Sequence, residues 1–124
     1  MHNYQELKVW QKATDLAIVI YKLTSTYAQS EQFNLTLQMR KSVVSVPSNI
    51  AEGAGRNTNK DFDRFLSIAL GSIFELQTQL IISLRLDYLN QQSYEDINEK
   101  IEEIKKMIWG LSKKLGLNLS SLSS

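Results

Sequence analysis

The chain contains no cysteine, one histidine and one proline among 124 residues. Without cysteine, disulfides, thiolate nucleophiles and every cysteine-containing zinc, iron–sulfur or redox site are excluded. The single histidine, His2, lies at the N-terminus, where a side chain is expected to fray. That removes a serine–histidine–acid triad, histidine metal clusters and the paired Glu-x-x-His motifs of di-iron bundles. No metal, cofactor or small-molecule substrate is therefore expected. Charge of one sign is scarce too: 14 Lys and Arg against 13 Asp and Glu leave a net charge of +1, so no global field announces a nucleic acid or an anionic membrane. Uninterrupted apolar runs are missing, because the most apolar stretch, Phe65 to Leu89, is broken by Glu75, Gln77, Gln79, Arg85 and Asp87. The opening residues, Met1 to Lys8, lack the basic-then-apolar order of a signal peptide. Together these absences predict a soluble, cytoplasmic protein with no membrane role.

What is present is enough apolar material, 43% of residues, to fill one compact core. Its spacing is helical throughout, and no strand pattern competes. Four segments are predicted, at about 7–27, 31–55, 59–86 and 93–115. The first carries Trp10, Ala13, Ala17, Ile20, Thr24 and Tyr27 at alternating spacings of three and four. Ser30 is a candidate cap for the second, and the Gly53 and Gly55 pair its stop. Thr58-x-x-Asp61 caps the third and Ser93-x-x-Asp96 the fourth. In the fourth, Tyr94, Ile97, Ile101, Ile104, Ile108, Leu111 and Leu115 form a regular bundle seam, and acidic residues give way to Lys105, Lys106, Lys113 and Lys114 as the helix dipole favours. Short breaks between long helices favour an all-α, antiparallel up-down-up-down four-helix bundle spanning 1–116, followed by a loose serine-rich tail over 117–124. The third segment has more apolar arc than one core needs, with Leu70, Phe74 and Ile81 on one flank and Ile68 on the other. Either copies of the chain cover it, or it is simply the most central helix.

The second segment breaks local rules. Serines, valines, asparagine and Pro47 all lower its helix propensity, and Pro47 predicts a kink near Val43 to Val46 at a cost of ~3 kcal/mol. Its polar arc is small and largely uncharged, with Ser42, Ser45 and Asn49 suited to a polar contact with another helix or subunit in preference to plain solvent. Glu52 and Arg56 read as a helix-stabilising i, i+4 pair. Gly53-Ala54-Gly55-Arg56 before Lys60 looks superficially like a phosphate-cradling loop, but with no preceding strand and no third glycine it reads as a helix stop. Arg40 and Lys41 form a basic pair that folding would extend if Lys8, Lys12 and Arg56 came near it.

Three stretches carry a likeness to a known family: Leu7-Lys8-Val9-Trp10-Gln11-Lys12-Ala13; Gln38 to Gly53, which contains Arg40-Lys41 and Ser45-Val46-Pro47-Ser48-Asn49-Ile50-Ala51-Glu52-Gly53; and Arg64 to Ser72, continuing to Leu80. The combination resembles the four-helix-bundle proteins named for the intervening sequence of bacterial 23S rRNA genes. It is also similar to the accessory variability proteins of diversity-generating retroelements. The resemblance implies a homopentameric ring and, as in the retroelement relatives, a basic surface that engages structured RNA and a reverse transcriptase. Arg40 and Lys41 match the family's paired basic positions, and Asn49 to Gly53 its Asn-Ile-Ala-Glu-Gly motif.

Three functional readings follow. The first is a non-enzymatic oligomeric module that binds nucleic acid, or a nucleic-acid enzyme, through Lys8, Lys12, Arg40, Lys41 and Arg56. The second is a protein-binding scaffold whose contacts come from Ser45, Asn49 and the spare arc of Leu70, Phe74 and Ile81. An enzyme is the remote third, resting on Glu52, Glu75 or a tyrosine without a well-placed histidine.

Overall fold

The computed structural model describes residues 2–116, and the expected tail over 117–124 lies outside them. Four helices account for most of these residues: α1 (Lys8–Thr24), α2 (Leu35–Ala54), α3 (Asn59–Arg85) and α4 (Gln91–Lys114). Single 3₁₀ turns at Tyr4–Glu6 and Gln29–Glu31 precede α1 and α2, and no strand occurs among the described residues.

Helix ends differ from expectation for local reasons. The first helix stops at Thr24, short of Tyr27, because three successive hydroxyls turn back onto the chain: Thr24 to the Ile20 carbonyl, Ser25 to Lys22 and Thr26 to Leu23, at 2.6 to 2.7 Å. The second begins at Leu35, and Ser30 is not its cap; instead the Ser30 carbonyl accepts from the Asn34 amide. Thr58 caps α3 as expected, its hydroxyl accepting the Asp61 N–H at 3.1 Å. The fourth starts before Ser93, because the Asn90 side chain accepts the Ser93 N–H at 2.8 Å. Asp87, at φ 61°, makes the left-handed step between α3 and α4. His2 is not frayed: its backbone N–H donates to the Ala54 carbonyl at 2.8 Å and its ring rests on Phe62.

The core is a continuous cluster to which every helix contributes, including Leu16 and Ile20, Met39 and Ile50, Leu66, Ile73 and Leu80, and Ile101, Ile104 and Ile108. Each such side chain, fully withdrawn from water, contributes about 1.5–3 kcal/mol. Through it α2 runs unbroken past Pro47, which is buried with the rest of that face.

The tightest seam lies between α2 and α3. Gly53 sits beside Phe65 and Phe62, Ser45 opposite Ser72 and Met39 opposite Ser83, so positions fall along one helix as they rise along the other. Asn49 donates to both the Ser45 carbonyl (2.8 Å) and the Ser45 hydroxyl oxygen (3.0 Å). The Ser45 hydroxyl, already accepting from Asn49, then donates to Ser72 at 2.7 Å, and Ser72 donates to the Ile68 carbonyl at 3.2 Å. The small polar arc read from the sequence is thus an inter-helix contact within one chain.

Gly53 is required by this approach. A Cβ there would lie 2.8 Å from the Phe65 Cβ and 2.9 Å from the Phe62 ring. Gly53→Ala is expected to lower stability by about 1–3 kcal/mol through overpacking. Gly71→Ala, where a Cβ meets nothing within 4 Å, should instead raise it by about 0.5–1 kcal/mol from helix propensity. Urea denaturation of the two variants beside the parent checks both signs.

Candidate nucleic-acid and subunit surfaces

The basic residues singled out by the sequence are distributed over the bundle and mostly engaged. Arg40 leaves α2 toward the end of α1: its Nε donates to the Thr24 hydroxyl at 2.9 Å, its Nη2 to the Tyr21 carbonyl at 3.3 Å, and its guanidinium lies 4.6 Å from the Tyr21 ring centre. It adds a second donor to the Tyr21 carbonyl, which already accepts the Ser25 N–H at 3.1 Å, and sets a cation at a helix C-terminus. Lys41, its neighbour in sequence, is exposed and has no ion-pair partner among the described residues.

Lys12 reaches across to α4 and pairs with Glu103 at 2.7 Å. The hydrogen bond raises the lysine above its usual pKa and lowers the glutamate below its own. Arg56 pairs with Glu52 at 3.1 Å, as the sequence suggested, and also lies 4.7 Å from the Phe65 ring centre. Lys8 is exposed at the start of α1. Because His2 bonds to Ala54, Lys8 and Arg56 share the end of the bundle where the described chain begins, while Arg40 contacts the far end of α1. The five residues do not form one patch.

Three features escaped the sequence reading. Arg64 lies 4.6 Å from the Phe65 ring centre, so two guanidinium groups flank a single phenylalanine. Gln77 in α3 donates to Asn98 (2.9 Å) and Glu102 (3.2 Å) and accepts from Lys105 (3.4 Å), while Lys105 pairs with Glu102 at 2.7 Å and lies over Phe74. The Glu102 carboxyl is held below its usual pKa, first by the Lys105 hydrogen bond and also by the bond from Gln77. No periodicity marks such a network, since its members read separately as ordinary polar positions. Lastly, Tyr88 donates to Glu31 at 2.6 Å and packs on Tyr27, joining the loops at one end; the bond to Glu31 is the first cause of its raised pKa.

The spare apolar surface is real but differently composed. Leu70 is only 4% exposed and belongs to its own chain's core, so it is unavailable as a subunit contact in this conformation. Phe74 and Ile81 remain 39% and 40% exposed on the flank toward α4, whereas Ile68, Ile82 and Leu86 are exposed on the flank toward α2. By length and composition α3 could cross a membrane, yet only 39% of its most apolar stretch is buried within the chain. Glu75 is exposed midway along α3, and Ser72 and Gln77 bond the helix to α2 and α4. Glu52 is engaged with Arg56. No group of three or more metal-ligating side chains is assembled among the described residues.

The sequence profile of the 23S rRNA-intervening sequence protein family matches residues 5–110. The chain belongs to that family. A crystal structure of a protein of unknown function, from the S23 ribosomal protein family of Bacteroides thetaiotaomicron, superposes with a TM-score of 0.76 at 29% identity, covering 85% of this chain and 98% of its own. No curated protein matches the chain. Within this family member, the family's paired basic positions, Arg40 and Lys41, diverge in the fold: one side chain ties α2 to α1 and the other is solvent-exposed.

Arg40→Ala should cost about 1–2 kcal/mol of stability, because it removes hydrogen bonds to Thr24 and Tyr21 together with the ring contact; thermal and urea unfolding measure it. A folded-state pKa below the usual 4.5 means that Glu102 adds stability above that value and loses the contribution as pH falls through it. Lys105→Gln should therefore weaken the protein at neutral pH, with the gap from the parent closing in acid. Urea midpoints across that range read the convergence.

Proposed function

We propose that this protein is a non-enzymatic cytoplasmic module: an antiparallel up-down-up-down bundle that assembles with copies of itself into a ring and thereby presents basic side chains to structured RNA or to a nucleic-acid enzyme. One observation carries the assembly: the outer face of α3 and its C-cap keeps five large apolar side chains in solvent, Ile68, Ile82 and the C-cap Leu86 on one flank and Phe74 and Ile81 on the other. Two different patches on opposite flanks suit a heterologous contact, in which one flank meets the other on the next copy and rotation closes a ring. Five copies, and a reverse transcriptase as the enzyme, come from the likeness to the accessory variability proteins. The RNA link is supported by the family's name and by the solvent-exposed Lys8. Repetition around a ring multiplies weak contacts of this kind.

A second reading, a protein-binding scaffold without a nucleic-acid role, is favoured by a separate observation: Arg40, Arg56 and Lys12 are already committed to partners in their own chain.

Light scattering of the full chain tests the assembly. The parent should run as a multimer, and Ile82→Glu and Phe74→Glu should each give monomers that melt as the parent protomer does. Mixing those two variants should yield dimers only, because one intact flank remains on each. A monomeric parent overturns the ring. Titrating the nucleic-acid-stripped parent with an RNA hairpin at several salt concentrations tests the rest: binding with a steep negative salt slope supports the first reading, and no binding at low salt leaves the scaffold.

A further inference from the structure

Where the described chain begins, segments far apart in sequence converge. His2 bonds to Ala54 at the end of α2, Asp63 near the start of α3 bonds to Ser112 near the end of α4, and Lys8 and Lys114 line one groove of about 400 Å³ floored by Leu7, Val9, Met107 and Leu111. Of the described carboxylates at this end, only Glu6, exposed beside Lys8 in the groove, is not spent internally: Glu52 is engaged by Arg56, Asp61 by Arg64 and Asp63 by Ser112. Against that one free carboxylate stand four lysines. Lys8, Lys60, Lys113 and Lys114 are all exposed, and none has an ion-pair partner among the described residues. They occupy three of the four helices, so only folding gathers them.

At the opposite end the balance differs. There Lys22, Arg40, Lys41 and Arg85 are matched one for one by Glu31, Asp87, Glu95 and Asp96, and Arg40 is tied to α1. The near-neutral chain is therefore polar along its length, with its accessible surplus of positive charge at the Lys8–Lys114 end. Long, mobile ammonium groups with no shaped pocket suit the evenly spaced phosphates of a polyanion better than one enclosed anion.

We infer that structured RNA docks its phosphodiester backbone on this end of the bundle, against Lys8, Lys60, Lys113 and Lys114, and not on the Arg40–Lys41 pair. The inference rests on the RNA-linked reading above and names its surface. If all four lysines neutralise phosphates, each protomer contributes a log–log salt slope of about −3.

The experiment uses the full chain and a fluorescein-labelled RNA hairpin, with anisotropy titrations at several salt concentrations. Lys8→Gln with Lys114→Gln, and separately Lys60→Gln with Lys113→Gln, should each weaken binding at least about tenfold and flatten the slope by about 1.5. The charge-matched control, Lys22→Gln with Lys41→Gln, should change affinity less than about threefold, the effect of net charge alone. Thermal melts of all three should overlay the parent, since every substituted side chain is exposed. Equal losses in the control and the end variants would overturn the surface while leaving RNA binding intact, as would end variants that bind like the parent. Competition by polyglutamate as effective as unlabelled RNA at equal charge would overturn RNA as the partner. A parent that binds no RNA overturns the functional reading itself, and this surface with it.

Discussion

The close approach of α2 and α3 sets the geometry on which the other surfaces depend. Gly53 lets the phenylalanines of α3 come within van der Waals reach of the α2 backbone, and the Asn49–Ser45–Ser72–Ile68 chain of hydrogen bonds fixes the register above it. Small polar residues are poor helix formers but permit such contact, because they add little bulk and satisfy one another's hydrogen-bonding groups. With that seam fixed, Ile73, Leu76 and Leu80 face the core, while Phe74, Ile81, Ile68 and Ile82 are turned outward. The low-propensity stretch around Pro47 is tolerated because the face it shares with Met39, Val43, Val46, Ile50 and Ala54 is buried.

The same packing decides what the charges can do. Arg40 is drawn to the Tyr21 carbonyl and Thr24 hydroxyl at the end of α1, Lys12 to Glu103 across the α1–α4 seam, and Lys105 into the network of Gln77 and Glu102 beneath Phe74. Each is a cation that composition counts as available and the fold employs elsewhere. A net charge of +1 conceals this sorting, since side chains engaged within the bundle and side chains in solvent count equally in the sum.

Helix count and core were legible because burial imposes a period of 3.6 residues on every helix, and Ile97, Ile101, Ile104 and Ile108 repeat it plainly. Helix ends were less so. A threonine cap read correctly at Thr58, whereas Ser93 was displaced by Asn90, an equally short polar side chain, and α2 begins after Asn34, whose side chain makes no cap bond. Leu70 looked spare on the wheel because its angular position lies between core and surface; the proximity of α4 buries it.

The sequence by itself determined that the protein is a helical bundle built without cysteine, and its motifs from Leu7 to Leu80 carried its family, since inventory and period need no knowledge of distant contacts. Tertiary structure alone decided which cations remain accessible and which apolar side chains remain outside. Both depend on pairs such as Lys12 with Glu103 and Asp63 with Ser112, which lie far apart along the chain and meet only after the helices pack. A local pattern specifies which face of a helix is buried, but not which neighbour covers it.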